Sequence, residues 1–116
     1  MAKILFVDDE SLVLTLFRTI LEPLGHEVLT ASSGREGIDV YRRQRPMATI
    51  LELNLPDMNG VEVLAEIRVV DARAPVLIWT GADTEGLEQA ARQQGVTEFL
   101  IKGFSPHELG AVLNGY

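Results

Sequence analysis

No cysteine occurs anywhere in the 116 residues. That absence excludes disulfides and thiolate metal sites, and it fits a reducing compartment. Basic residues are also scarce: 10 Lys and Arg stand against 17 Asp and Glu, for a formal net charge of -7. A nucleic-acid surface needs Lys and Arg gathered on one face, and anionic membranes attract cations, so the balance argues against both partners. No apolar run approaches the roughly 20 residues of a membrane-crossing helix. No basic region, long apolar stretch and cleavage site stand in order at the start, where Met1-Ala2-Lys3 leads straight into a strand pattern. Linkers, repeats and low-complexity segments are missing as well. What remains is the expectation of one cytoplasmic domain over 1–116, with 47 % hydrophobic residues to fill a single core.

The apolar residues that are present alternate between two periods. Lys3-Ile4-Leu5-Phe6-Val7 is a buried-strand signal that ends in acids. From Ser11 to Leu24, apolar residues at Leu12, Leu16, Ile20 and at Val13, Phe17, Leu21 predict a helix with a broad buried face, stopped by Pro23 and Gly25. Further strands are expected at Glu27–Thr30, Thr49–Leu53, Pro75–Thr80 and Glu98–Ile101. Helices are expected at Gly34–Gln44, with Ile38 and Tyr41 inward, and at Val61–Val70, with Val63, Leu64 and Ile67 inward. Another spans Thr84–Gln94 and is ended by Gly95. The last opens at Ser105-Pro106, with Ser as cap and Pro at the first helical position. Strands alternating with helices imply an α/β fold with a parallel sheet covered on both faces. In such sheets the working site lies at the carboxyl ends of the strands, near a switch in strand order.

The polar residues fall at those ends. Asp8, Asp9 and Glu10 follow the first strand, Glu52 interrupts the apolar third strand, Thr80 ends the fourth and Lys102 follows the fifth. Each has a bland reading taken alone: a solvated turn, a strand-end acid reaching water, a surface lysine, a satisfied hydroxyl. Their convergence on one edge is what favours a site. Neighbouring carboxylates repel unless a cation joins them, and hard oxygen ligands suit Mg²⁺, which is commonly held by one or two carboxylates plus waters and phosphate. Lys102 and the Thr80 hydroxyl are suited to the remaining oxygens of a tetrahedral anion. This is a phosphoryl-transfer layout, in which positioning and charge neutralisation do most of the chemistry. A small Mg-dependent phosphohydrolase or nucleotide-binding protein on the same fold is the competing reading; against it, no Gly-rich phosphate loop follows the first strand. His26 and His107 stand apart beside Gly25 and Pro106 and are expected at the surface with no metal role.

Four segments carry a resemblance to a known family. Lys3 to Glu10 resembles the first strand and acidic pair of the receiver domains of two-component response regulators. Leu51-Glu52-Leu53-Asn54-Leu55-Pro56-Asp57-Met58-Asn59-Gly60 resembles the family's phosphoacceptor strand and following loop, except that Glu52 stands where the family has Asp. Trp79-Thr80-Gly81 matches the switch hydroxyl, and Glu98-Phe99-Leu100-Ile101-Lys102 matches the segment with the switch aromatic and the lysine. The resemblance implies a flavodoxin-like, doubly wound five-stranded parallel sheet of order 2-1-3-4-5 with five helices. It implies phosphorelay signalling rather than enzymatic turnover. It implies that Asp9 binds Mg²⁺ directly, that Asp8 acts through water or by orienting, and that the Asn54 carbonyl is a further ligand beside Glu52. Thr80 and Lys102 would contact the phosphoryl group, and Phe99 would move inward when Thr80 is drawn to it. The implied partners are a histidine kinase or phosphotransfer protein, and an output domain or effector on the 84–116 face. Glu52 implies either a phosphorylation-independent receiver or a mimic of the charged state; Asp57, in the loop, is a poor substitute acceptor. Gly103 replaces the proline usual after the lysine, so the Lys102–Gly103 bond is expected to be trans, because a cis bond before a non-proline residue costs about 2.5–4 kcal/mol.

Overall fold

The computed structural model describes residues 2–81 and 86–101. Lys102, Gly103, His107, Thr84 and the helix expected at Ser105-Pro106 lie outside the described residues, and so does the expected trans bond. Five parallel strands form one sheet: β1 (Lys3–Val7), β2 (Glu27–Ala31), β3 (Ala48–Leu51), β4 (Val76–Thr80) and β5 (Glu98–Ile101), in the order β2-β1-β3-β4-β5. Among the described residues the connections are α1 (Ser11–Leu21), α2 (Gly34–Gln44), α3 (Gly60–Val70) and α4 (Leu87–Gln93). The chain steps from β1 outward to β2, then returns past β1 to β3. That reversal is the switch point, and it leaves a crevice at the carboxyl ends of β1 and β3.

Successive strand residues feed opposite faces, so each strand serves two cores. Leu5 and Val7 join Ile38 and Tyr41 of α2, Leu64 and Ile67 of α3 and Ala91 of α4. Ile4 and Phe6 join Phe17 and Leu21 of α1 and Trp79 of β4. Phe17 lies between two rings, stacked on Phe6 at 4.5 Å and edge-on to Trp79 at 4.9 Å.

Four expectations are corrected. The first helix ends at Leu21, and Glu22–Leu24 forms a tighter 3-10 turn, because Pro23 brings no N–H and Gly25 turns left-handed at φ 94°. Its buried face is narrower than its apolar content: Phe17 and Leu21 are buried, whereas Leu12 and Leu16 face outward. The third strand ends at Leu51, so Glu52 stands just past the ladder, although its N–H still donates to the Val7 carbonyl at 2.9 Å. His26 is buried rather than on the surface, because the chain turns inward after Gly25 and its N–H donates to the Leu21 carbonyl.

Candidate functional site

The parallel register pairs Val7 with Leu51, so Asp8 and Glu52 emerge on adjoining strand ends. Both acids are buried. Asp8 is held from two sides: its N–H donates to the Ala31 carbonyl at 3.0 Å, and its Oδ1 accepts from the Glu10 N–H at 2.9 Å. That second bond turns the chain into α1 and leaves Asp9 exposed at the rim. Buried carboxylates are kept beside compensating positive charge.

Thr80 closes β4 fully buried, in register with Ile101 of β5. Phe99 pairs with Ile78 and is partly buried against the core beneath α2 and α3. The structure thus brings Asp8, Asp9, Glu52 and Thr80 to the same edge of the sheet, with Phe99 two residues back from the end of the neighbouring strand.

Asn54 begins the loop after Glu52 and is exposed. It forms an isolated antiparallel bridge with Asn59, and the Gly60 N–H donates to the Leu53 carbonyl at 2.8 Å. These contacts close the loop at its base. Asn59 then caps α3, its side chain accepting from the Glu62 N–H at 3.0 Å. Gly60 is required here: a Cβ would lie 2.6 Å from the Glu52 carbonyl oxygen.

The donor set suits a hard cation bound loosely. Among the described residues, no three His, Cys, Asp or Glu side chains are gathered as a metal cage. Mg²⁺ does not require one, since it keeps several waters and takes one or two carboxylates. The buried Asp8 and the exposed Asp9, with Glu52 on the adjoining strand end, fit that requirement.

Asp57 is the residue whose role sequence reasoning missed. Its two carboxylate oxygens accept from the Gly34 N–H at 2.8 Å and the Arg35 N–H at 2.9 Å, at the start of α2. Those bonds, Arg35's first and Gly34's second, hold its carboxyl below the usual carboxylate range. Both of its oxygens are thus engaged at the start of α2.

Residues 4–114 match the family described as response regulator receiver domain. The alkaline phosphatase synthesis transcriptional regulatory protein PhoP of Bacillus subtilis is 35 % identical over 94 % of this chain and 45 % of its own length. The chain therefore spans under half the length of that relative. The chemotaxis protein CheY of Thermotoga maritima is 26 % identical over 97 % of this chain and 94 % of its own. A receiver domain structure from Clostridium thermocellum superposes with a TM-score of 0.90 at 32 % identity, covering 99 % of this chain and 93 % of that one.

Proposed function

The chain belongs to the response regulator receiver domain family, and on that premise we propose that it is a phosphorelay receiver impaired as a phosphoacceptor by Glu52. Receiver domains are signalling modules that work with histidine kinases and output domains. The observation that supports the impairment is the place of Glu52: one residue past β3, buried, on the strand end beside Asp8. This is where the resemblance puts the accepting aspartate.

In-line phosphoryl transfer needs the attacking oxygen aligned with the donor, and the metal and lysine on the transferred group. Glu52 is still a carboxylate, but its extra methylene carries the oxygen about 1.5 Å further out. A misplacement of about 1 Å costs on the order of a hundredfold in rate. The same reach would bring negative charge nearer Lys102 and Thr80. The imitation of a phosphoryl group is poor, because one carboxylate carries about one charge where a phosphate carries ~1.5 to 2 and three acceptor oxygens. Little phosphorylation and at most partial activation are expected.

Bound Mg²⁺ supplies charge neutralisation on the phosphoryl oxygens. Asp8, Asp9 and the Asn54 carbonyl are the groups proposed to hold it, with Glu52 adjoining. Thr80 and Lys102 are proposed to hold the remaining oxygens, and Phe99 to relay the change to a partner face built from 84–116. A cytoplasmic location and a single domain over 1–116 belong to the same reading.

The test is incubation with a small-molecule phosphodonor and Mg²⁺, followed by intact-mass measurement, on this chain and on Glu52→Asp. Slow, substoichiometric labelling of the parent and rapid labelling of Glu52→Asp are expected. Rapid stoichiometric labelling of the parent contradicts the impairment.

A further inference from the structure

We propose that Asp57 is a positioning residue for cation binding: by clamping the loop between β3 and α3 onto the N-terminus of α2, it places the Asn54 carbonyl at the acidic edge. This rests on the reading of that edge as a Mg²⁺ site.

The loop is anchored at two places. Its base is closed by the Asn54–Asn59 bridge and by the Gly60 N–H on the Leu53 carbonyl. Its far side is tied by Asp57 to the Gly34 and Arg35 amides, 23 and 22 residues away in the chain. Met58 lies against the same turn of α2, where a Cβ on Gly34 would collide with Met58 Cγ and come within 2.7 Å of Sδ. Gly34 is therefore the residue that lets the loop approach so closely. Asn54 belongs to the base bridge, at the start of the segment that runs on to Asp57.

Asp57 and Ser33 share the amides at the start of α2, Asp57 taking those of Gly34 and Arg35. The Ser33 hydroxyl accepts from the Glu36 N–H at 3.1 Å, and the Ser33 carbonyl accepts from the Gly37 N–H at 2.9 Å. Glu36 reaches back to the Ser32 N–H and hydroxyl. Ser33 thus holds α2 from within its own chain segment, whereas the two Asp57 bonds join that helix end to the loop. Mg²⁺ demands near-octahedral oxygens at about 2.0–2.1 Å, so a backbone ligand contributes only where it is placed in advance. Groups that hold such ligands in place typically alter metal affinity about 10- to 100-fold when removed.

The experiment titrates Mg²⁺ into the full chain, following amide shifts and Trp79 fluorescence, for the parent, Asp57→Ala, Asp57→Asn and Ser33→Ala. Asp57→Ala is expected to weaken the affinity on the order of tenfold. Asp57→Asn keeps one acceptor oxygen and a similar shape, and should fall between Asp57→Ala and the parent. Ser33→Ala removes a cap from the same helix end and should leave the affinity unchanged. Without metal, amide hydrogen exchange across residues 53–60 should be faster in Asp57→Ala than in Ser33→Ala. Equal affinities for the parent and both Asp57 variants overturn the inference, as does an equal loss in Ser33→Ala, which would mark general loosening of α2. A parent that shows no saturable Mg²⁺ binding overturns the metal reading itself, and this inference with it.

Discussion

At the scale of single residues, chemistry is set by what each side chain meets at the strand ends. Glu52 and Asp57 are both acids of the same chain segment, yet one is buried beside Asp8 and the other is spread over two helix amides. Asp57 gives a pH signature. Its folded-state carboxyl titrates below the usual range, held there by the Arg35 and Gly34 amides. A group depressed on folding stabilises the fold fully above its unfolded value, about 3.9, and that contribution is lost as pH falls through the lower folded value. Urea midpoints of the parent should therefore drop below about pH 4 more steeply than those of Asp57→Asn. Parallel curves for the two proteins would mean that the clamp does not persist in solution. The exposure of Asp57 keeps the effect modest, because solvent screens such interactions.

At the scale of elements, two glycines control how closely α2 and α3 approach the site. A methyl on Gly60 meets backbone, the Glu52 carbonyl oxygen at 2.6 Å and the Leu53 Cα at 3.2 Å, so nothing can swing aside. A methyl on Gly34 meets mainly the Met58 side chain, which has rotatable bonds to yield with. Gly60→Ala should cost about 1–3 kcal/mol in urea denaturation, and Gly34→Ala less. The reverse order would contradict this account of the loop. Gly60→Ala should also slow labelling in a Glu52→Asp background, because the clash lies on the residue that carries the carboxylate. Far from the site, Arg68 ties α3 to the end of α4. Its Nε donates to the Gln94 carbonyl at 2.9 Å, and its Nη atoms donate to the carbonyls of Ala74 at 2.8 Å and Gly95 at 2.7 Å. A planar fork meets several carbonyls in this way, which a lysine ammonium would not reproduce.

At the scale of the whole molecule, one sheet separates two cores, and the acidic edge is stable only while both hold the strand ends in register. Phe17 is the centre of the core under α1, completely buried between Phe6 and Trp79. Phe17→Ala should cost about 3–5 kcal/mol, the usual range for deleting a buried ring. Trp79 fluorescence should change as well, because the indole loses its edge contact. A loss under about 1 kcal/mol would mean that α1 repacks to fill the space, and that this core is less rigid than its ring geometry implies.

Alternation of strand and helix, a parallel sheet and the placing of acids at strand ends were all legible in the sequence. They follow from local periodicity and from the order of elements along the chain. Ile38, Tyr41, Val63, Leu64 and Ile67 point inward as their spacing requires. Other features depended on atoms distant in the chain. Two apolar rows on α1 were equivalent by spacing, and only contact with Phe6 and Trp79 decided that Phe17 and Leu21 face inward while Leu12 faces water. The end of β3 at Leu51 was hidden, because the apolar pattern runs on to Leu53 while the ladder stops. Asp57 stands in the Leu51–Gly60 motif, but its clamp was not legible there, because its partners are backbone amides that every residue type except proline carries. Folding alone brought the start of α2 within reach of that carboxylate, since a helix N-terminus attracts an anion from wherever the tertiary structure delivers it.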